Sequence, residues 1–257
     1  MSGSLVVELC YDDRPVVDYA GLLGEVRRVH PDAELASTRA GSPFLIGFRS
    51  LVHRFSDGAA CLIVSVLKPD GGSDTRSPRD LSQTWTWPEA ATTLARTAHT
   101  LLIADVMGWL YAPKPRVAAF RAVVNALIAQ TQPIGTWWPV SNRAVPPQAA
   151  TEAPLGGLVN VRLFNDANRP GYLFMDTVGL HALGLPDAQI HFHDLEERRV
   201  AGLLFDLAEY IFDGAEIKSG HTVPGIHAGQ RWAVSRQAAR LDPERLVLDL
   251  NPNDGHA

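Results

Sequence analysis

The chain has 257 residues, 46% of them hydrophobic and 20% charged, with 28 acidic against 23 basic side chains and a formal net charge of -5. This is the balance of a folded chain with a sizeable core, and it holds no basic cluster or basic-aromatic stripe, so neither nucleic acid nor a membrane surface is an expected partner. The N-terminus lacks a charged leader followed by a long apolar run, and the most apolar stretch, TLLIADVMGWLY, is short and carries Asp105; Cys10 and Cys61 each sit inside an apolar run, where buried free thiols are usual. A reducing, cytoplasmic location is therefore expected.

In chain order, LVVEL (Leu5–Leu9) reads as a buried strand. The helix after Pro15 carries Tyr19, Leu22, Leu23, Val26 and Val29 on one face, and FLIGF and AACLIVSVL read as two further strands. A Pro-, Gly- and Ser-rich stretch, Lys68–Gln83, reads as a loop. Pro88 then suits the first turn of a helix with Ala91, Leu94, Ala95 and Ala98 on one face, leading into the strand TLLIADV. This β-α-β-β-α-β order predicts an α+β fold with a ferredoxin-like N-terminal half.

A third helix opens at Lys114-Pro115, carries Val117, Phe120, Val124, Leu127 and Ile128 at helical spacing, and stops before Pro133. The strand GTWWPV follows. The Pro/Ala-rich stretch Ser141–Gly157 reads as a linker or loop. The expected divisions are thus 1–140, a linker or loop at 141–158, and a second α+β half at 159–257 with a mostly antiparallel sheet. In that half VNVRLFN, GYLFMDTV, AQIHFH, RWAVSRQ and RLVLDL read as strands. Leu195–Phe212 reads as a helix with Val200, Leu203, Leu204, Leu207, Ala208 and Ile211 stacked on one face and Gly214 ending it. No internal repeat relates the halves.

The blocks WTWPEA, LLIADVMG, WWPVS, VNVRLFN, MDTVGLHALGLPDAQIHF, VAGLLFDLAEYIFDGAEIKSGHTVPG and PERLVLDLNP, in that order over roughly residues 85–252, resemble the bacterial family called domain of unknown function 4261. The resemblance implies a bacterial cytoplasmic protein with an association to toxin–immunity and secretion loci. It brings no cofactor, activity or catalytic residue.

Chemistry is therefore read from the residues. His191 and His193 are two apart on a strand, so both rings project from one face, as a pair of metal ligands would; Asp176, His181 or His221 could complete such a cluster. The spacing matches no zinc signature, and no metal or cofactor is expected. Structural alternatives stand beside this. Asp194 with Glu197 three residues later reads as a helix cap, Asp187 as a turn residue in LGLPDAQ, and Asp176 as a cross-strand partner of Arg162. Asp105, near the end of a buried strand, could line a cleft or cap a loop. In the doublet Trp137-Trp138 the two indoles point to opposite faces of a strand, so one is expected to be exposed as an interface anchor.

No nucleophile elbow, phosphate loop, dinucleotide-binding glycine pattern or Cys-pair metal knuckle occurs. Two readings follow. One is a non-catalytic binding protein, such as an immunity or adaptor protein of a toxin or secretion system, whose acidic balance suits a basic protein partner, for example a toxin domain. The other is a small hydrolase or metal-dependent enzyme using Asp176, His191, His193 and His221. The sequence leaves oligomeric state open.

Overall fold

The computed structural model describes residues 3–36, 43–68 and 76–252. They form two compact units, one from residues 3–158 and one from residue 159 onward. Both are α+β, and each sheet is mostly antiparallel. The glycine-rich part of the expected loop Lys68–Gln83, residues 69–75, lies outside the described residues, as do Gly41 and Ser42.

The first unit runs β1 (Val6–Tyr11), α1 (Tyr19–Val29), β2 (Ala33–Leu35), β3 (Phe44–Arg54), β4 (Ala59–Leu67), the five-residue helices α2 (Pro78–Ser82) and α3 (Ala90–Leu94), β5 (His99–Val106), α4 (Pro113–Thr131), β6 (Gly135–Trp138), β7 (Arg143–Val145) and α5 (Pro147–Glu152). Helix α1 begins after Asp18, whose carboxylate accepts the amides of Ala20 and Gly21, and it buries Leu22 and Val26. Cys10 is buried and Cys61 half-buried, both as free thiols; burial pushes the Cys10 thiol up to about 11 against the opposing pull of Arg76.

The strand order is β2-β3-β4-β5-β1-β6-β7. A ferredoxin-like split βαβ unit would set β4 directly beside β1. Instead β5 lies between them, antiparallel to both. The cause is the helix expected from Pro88, which shrinks to the five residues of α3 and cannot carry the chain across a sheet. The long helix is α4, which follows β5: β5 and β6 are each antiparallel to β1, hence parallel to each other, and α4 joins them across β1.

One buried ion pair anchors that crossover. Arg116, in the first turns of α4, donates from Nε to Asp105 Oδ2 at 2.6 Å, while Oδ1 of Asp105 takes the Leu5 amide at 2.8 Å. The side chains are 1% and 0% exposed. Gly108 lies against the pair so closely that a Cβ there would overlap both Asp105 and Arg116. Asp105 thus neither lines a cleft nor merely caps the next loop.

The stretch Ser141–Leu158 is packed into the first unit and is no linker. Arg121 of α4 donates to the carbonyls of Ala150 (2.6 Å) and Gly156 (3.2 Å), the Ser141 hydroxyl donates to Gly157, and Ala150, Leu155 and Leu158 are buried. Gly157 holds φ +80° with its α-carbon against the Trp138 indole, a position no side chain could share.

The second unit runs β8 (Asn160–Asn165), β9 (Leu173–Val178), a 3-10 turn at Leu180–Leu183, β10 (Asp187–Phe192), α6 (Glu197–Phe212), β11 (Thr222–Pro224), β12 (Arg231–Ala238) and β13 (Leu246–Asn251). Their order is β11-β12-β13-β10-β9-β8, with only β10 and β13 parallel. The sequence DAQIHF of β10 alternates, so Ala188, Ile190 and Phe192 share one face and Asp187, Gln189 and His191 the other. Helix α6 buries Val200, Leu204, Leu207, Ala208 and Ile211 over β8, β9 and β10, where Met175, directly opposite Ile190, continues the apolar face. Leu203, expected in that stripe, is only half-buried.

Asp194 does not cap α6. The helix starts at Glu197 with Glu196 at its N-cap position and no side-chain cap, while Asp194 adopts φ +56° and bonds His193. The left-handed residue turns the chain before the helix, which places the start later than the Asp–Glu spacing suggested.

Removing one partner of the Asp105–Arg116 pair leaves a buried charge alone, so Asp105→Ala is expected to cost about 3–5 kcal/mol in denaturant unfolding. A loss below about 1 kcal/mol, the worth of an exposed pair, would contradict the role given to it.

Candidate functional site

The polar side of β9 and β10 is where most of the sequence's candidates fall. Asp176 sits opposite Gln189 on β10 and opposite Arg162 on β8. It receives a two-pronged contact from Arg162, Nε to Oδ1 at 2.9 Å and Nη2 to Oδ2 at 2.6 Å. Arg245, just before β13, donates to the same Oδ2 at 2.7 Å. Asp176 is wholly buried, and Arg162 and Arg245 are 7% and 5% exposed. Fixed bidentate geometry of this kind is the strong form of the ion pair.

Arg245 extends the network. Its remaining donors reach the carbonyls of Leu241 and Pro243 at 2.8 Å and Thr177 at 3.0 Å, and its Nε lies 3.3 Å from Asp187 Oδ2 without hydrogen-bond alignment. Asp187 is no surface turn residue. It is fully buried and accepts from Thr177 Oγ1 and from the amides of Leu180 and His181, so it caps the 3-10 turn across the strand pair. His181 Nδ1 meets Asp187 Oδ2 at 3.0 Å, and its ring is 21% exposed. Two guanidinium groups face two carboxylates, and the buried charge balances.

His191 and His193 project from the same side as Asp176, as the strand alternation implies, but they work elsewhere. His191 Nε2 meets Asp166 Oδ2 at 2.9 Å and its ring stacks on Tyr172 with centroids 5.0 Å apart. His193 bonds the carboxylate of Asp194 and tilts against the same Tyr172 at 4.5 Å. The Asn168 amide, and after it His191, holds the Asp166 carboxyl below its usual range. Each imidazole thus has its own carboxylate, and among the described residues no three His, Cys, Asp or Glu side chains converge as metal ligands. The five candidates fall in three places: Asp176 with His181, His191 with His193, and His221 apart.

His221 lines a groove of about 760 Å³ in the second unit. Its helix wall is the outer side of α6, where Arg199, Leu203, Asp206 and Tyr210 recur at four-, three- and four-residue steps, beside Gly202. Its strand wall is Thr222, Val223, Pro224 and Gly225 along β11, with Ile217, Ile226 and Arg231 at the ends. Arg199 Nη2 donates to the Ile226 carbonyl and ties the helix start to the exit of β11. Tyr210, at the other end, is 61% exposed.

Neither indole of the Trp137-Trp138 doublet is an interface anchor. They are 1% and 0% exposed because β6 is covered on both faces. Trp137 packs with Cys10, Ala90, Leu94 and Ala144, and Trp138 meets Phe120 of α4 edge-on while donating to Thr136 Oγ1 at 3.0 Å. The sequence reading missed the groove except for His221. The signal was present: Arg199, Leu203, Asp206 and Tyr210 form a second helical stripe, mixed in polarity, beside the apolar one.

Asp187→Ala removes the acceptor of Thr177, His181 and two backbone amides at once, together with a carboxylate beside Arg245, and is expected to cost about 3 kcal/mol or more. His193→Ala, at an exposed pair, is expected to cost less than about 1 kcal/mol. Thermal or denaturant unfolding of both variants checks this; equal small effects would contradict the structural role of Asp187.

Comparison with known proteins adds one finding. No curated protein and no solved structure matches the chain. A family model described as Domain of unknown function (DUF4261) matches residues 176–251, which takes in the last three of the sequence blocks quoted above but for Met175 and Pro252 at their outer ends, and leaves the earlier ones outside. Over residues 176–251 the chain is thus similar to the DUF4261 family, and that segment contains Asp176, Asp187, Arg245 and the whole groove between α6 and β11.

Proposed function

We propose that the protein is a non-catalytic binding module that engages a protein partner through the groove between α6 and β11. The observation that carries this reading is the groove's make-up: an exposed tyrosine, apolar side chains from Leu203, Ile217 and Val223, and charges of both signs around them. Concave surfaces of mixed apolar and oriented polar character are where recognition concentrates, and tyrosine and arginine are the side chains most often decisive there.

Apart from His221, the carboxylates and imidazoles that suggested an enzyme are engaged with partners of their own. Asp176 binds Arg162 and Arg245, Asp187 accepts from Thr177 beside Arg245, and His191 and His193 pair with Asp166 and Asp194. This favours binding over a hydrolase or metal-dependent enzyme on the His191/His193 strand. An immunity or adaptor role is one form of the reading, in which the net charge of -5 draws a basic partner at long range while the groove supplies the specific contacts.

The test is site-specific photocrosslinking in the native cell. A benzophenone amino acid at position 210, inside the groove, is expected to form discrete adducts with a protein, while the same group at position 198, on α6 outside the groove, is not. Equal adducts from both positions, or none from position 210, would remove the groove as the binding surface.

A further inference from the structure

Among the described residues β11 is the terminal strand of its sheet and pairs with a strand on one side only, that of β12. Its ladder places the bonded positions: the Val234 amide donates to His221 and the Gly225 amide to Gln230, so 221, 223 and 225 face β12. The intervening Thr222 and Pro224 direct their backbone groups away from β12. Thr222 thereby offers one N–H and one C=O on the outer edge, and Pro224 one C=O. Both residues are exposed and both line the groove, with α6 on the other side.

The groove also has a direction. The Arg199 contact to Ile226 fixes the start of α6 beside the end of β11, and Ala215 N donating to Tyr210 O keeps 215–217 beside the end of α6, so helix and strand run antiparallel. Arg231 sits opposite Pro224 on β12. One end of the groove therefore carries Arg199 and Arg231, and the other carries Glu216, with Asp206 between. The apolar residues Leu203, Ile217 and Val223 lie along its length.

We infer that the groove takes an extended peptide segment of the partner, added as a strand to the outer edge of β11, with an acidic residue toward Arg199 and Arg231 and a basic one toward Glu216. This rests on the binding reading above and specifies its ligand. Main-chain hydrogen bonds to an exposed edge give such complexes affinity, and alternate side chains dropping toward the helix give specificity. A second copy of the chain is a poorer occupant of the same edge than a proline-free peptide, since each copy would bring its own Pro224 and the ladder would lack two N–H donors rather than one.

The probe is a fluorescent heptapeptide alternating valine and threonine, with aspartate at one end and lysine at the other, titrated against the full chain by anisotropy. Saturable binding is expected, together with slowed amide exchange at Thr222. N-methylating the peptide amide that faces the Thr222 carbonyl removes one hydrogen bond and is expected to weaken binding about tenfold. Leu203→Asp, on the half-buried outer side of α6, is expected to weaken it at least as much, and its far-UV circular dichroism checks that the helix persists. Absence of saturable binding overturns the inference, as does binding that N-methylation leaves unchanged or that proceeds without protection of Thr222. If those results come with adducts at position 210, strand addition fails while the groove stands as a binding surface; if the adducts fail too, both fall.

Discussion

A single carboxylate, that of Asp176, fixes much of the second unit. It is wholly buried on β9 and held by Arg162 from β8 and by Arg245 from the approach to β13. A buried charge without partners is severely destabilising, so this face of the sheet forms only when β8 is in the register that puts Arg162 opposite Asp176 and when the 239–245 turn folds back to deliver Arg245. Arg245 then brings Leu241, Pro243, Thr177 and Asp187 into one arrangement, and Asp187 sets the 3-10 turn between β9 and β10. Sheet order and the position of a distant turn follow from one charge.

The opposite face obeys a different constraint. There β10 and β9 present Ala188, Ile190, Phe192 and Met175, and α6 must cover them. An amphipathic helix that covers one end of a six-stranded sheet leaves its other flank beside strands it does not reach. That flank, with Arg199, Leu203, Asp206 and Tyr210, and the edge of β11 make the groove. His221 apart, the catalytic-looking residues and the binding-competent surface are thus different parts of the unit: the buried carboxylates hold the sheet together, and the groove is the space left by the way the helix sits on it.

Some of this was legible in the sequence. Alternation along VNVRLFN and GYLFMDTV sets Arg162 opposite Asp176, and the apolar stripe of α6 is visible at helical spacing, because both depend on local periodicity. What stayed hidden depends on residues far apart in the chain. Arg245 lies 69 positions from Asp176, so its role could not be read from either neighbourhood. Asp187 looked like a turn residue beside Gly184 and Pro186, yet its burial follows from Thr177 and Arg245. Trp137 and Trp138 alternate as a strand requires, but exposure of one of them was inferred without knowing that α3 and α4 cover both faces of β6. The place of β5 between β4 and β1 turned on the length of α3, where Ala and Thr residues gave a helical pattern but not the length to span a sheet.

The most direct test of the claim that the buried charges hold the second unit is a double-mutant cycle on Asp176→Asn and Arg245→Met in the full chain, read by denaturant unfolding. A coupling of about 2–3 kcal/mol between the two sites is the predicted result, since each single change removes the direct buried contact between opposite charges that the other residue makes. Additive effects, with coupling within about 0.5 kcal/mol of zero, would contradict it and return Asp176 to the pool of residues without a structural duty.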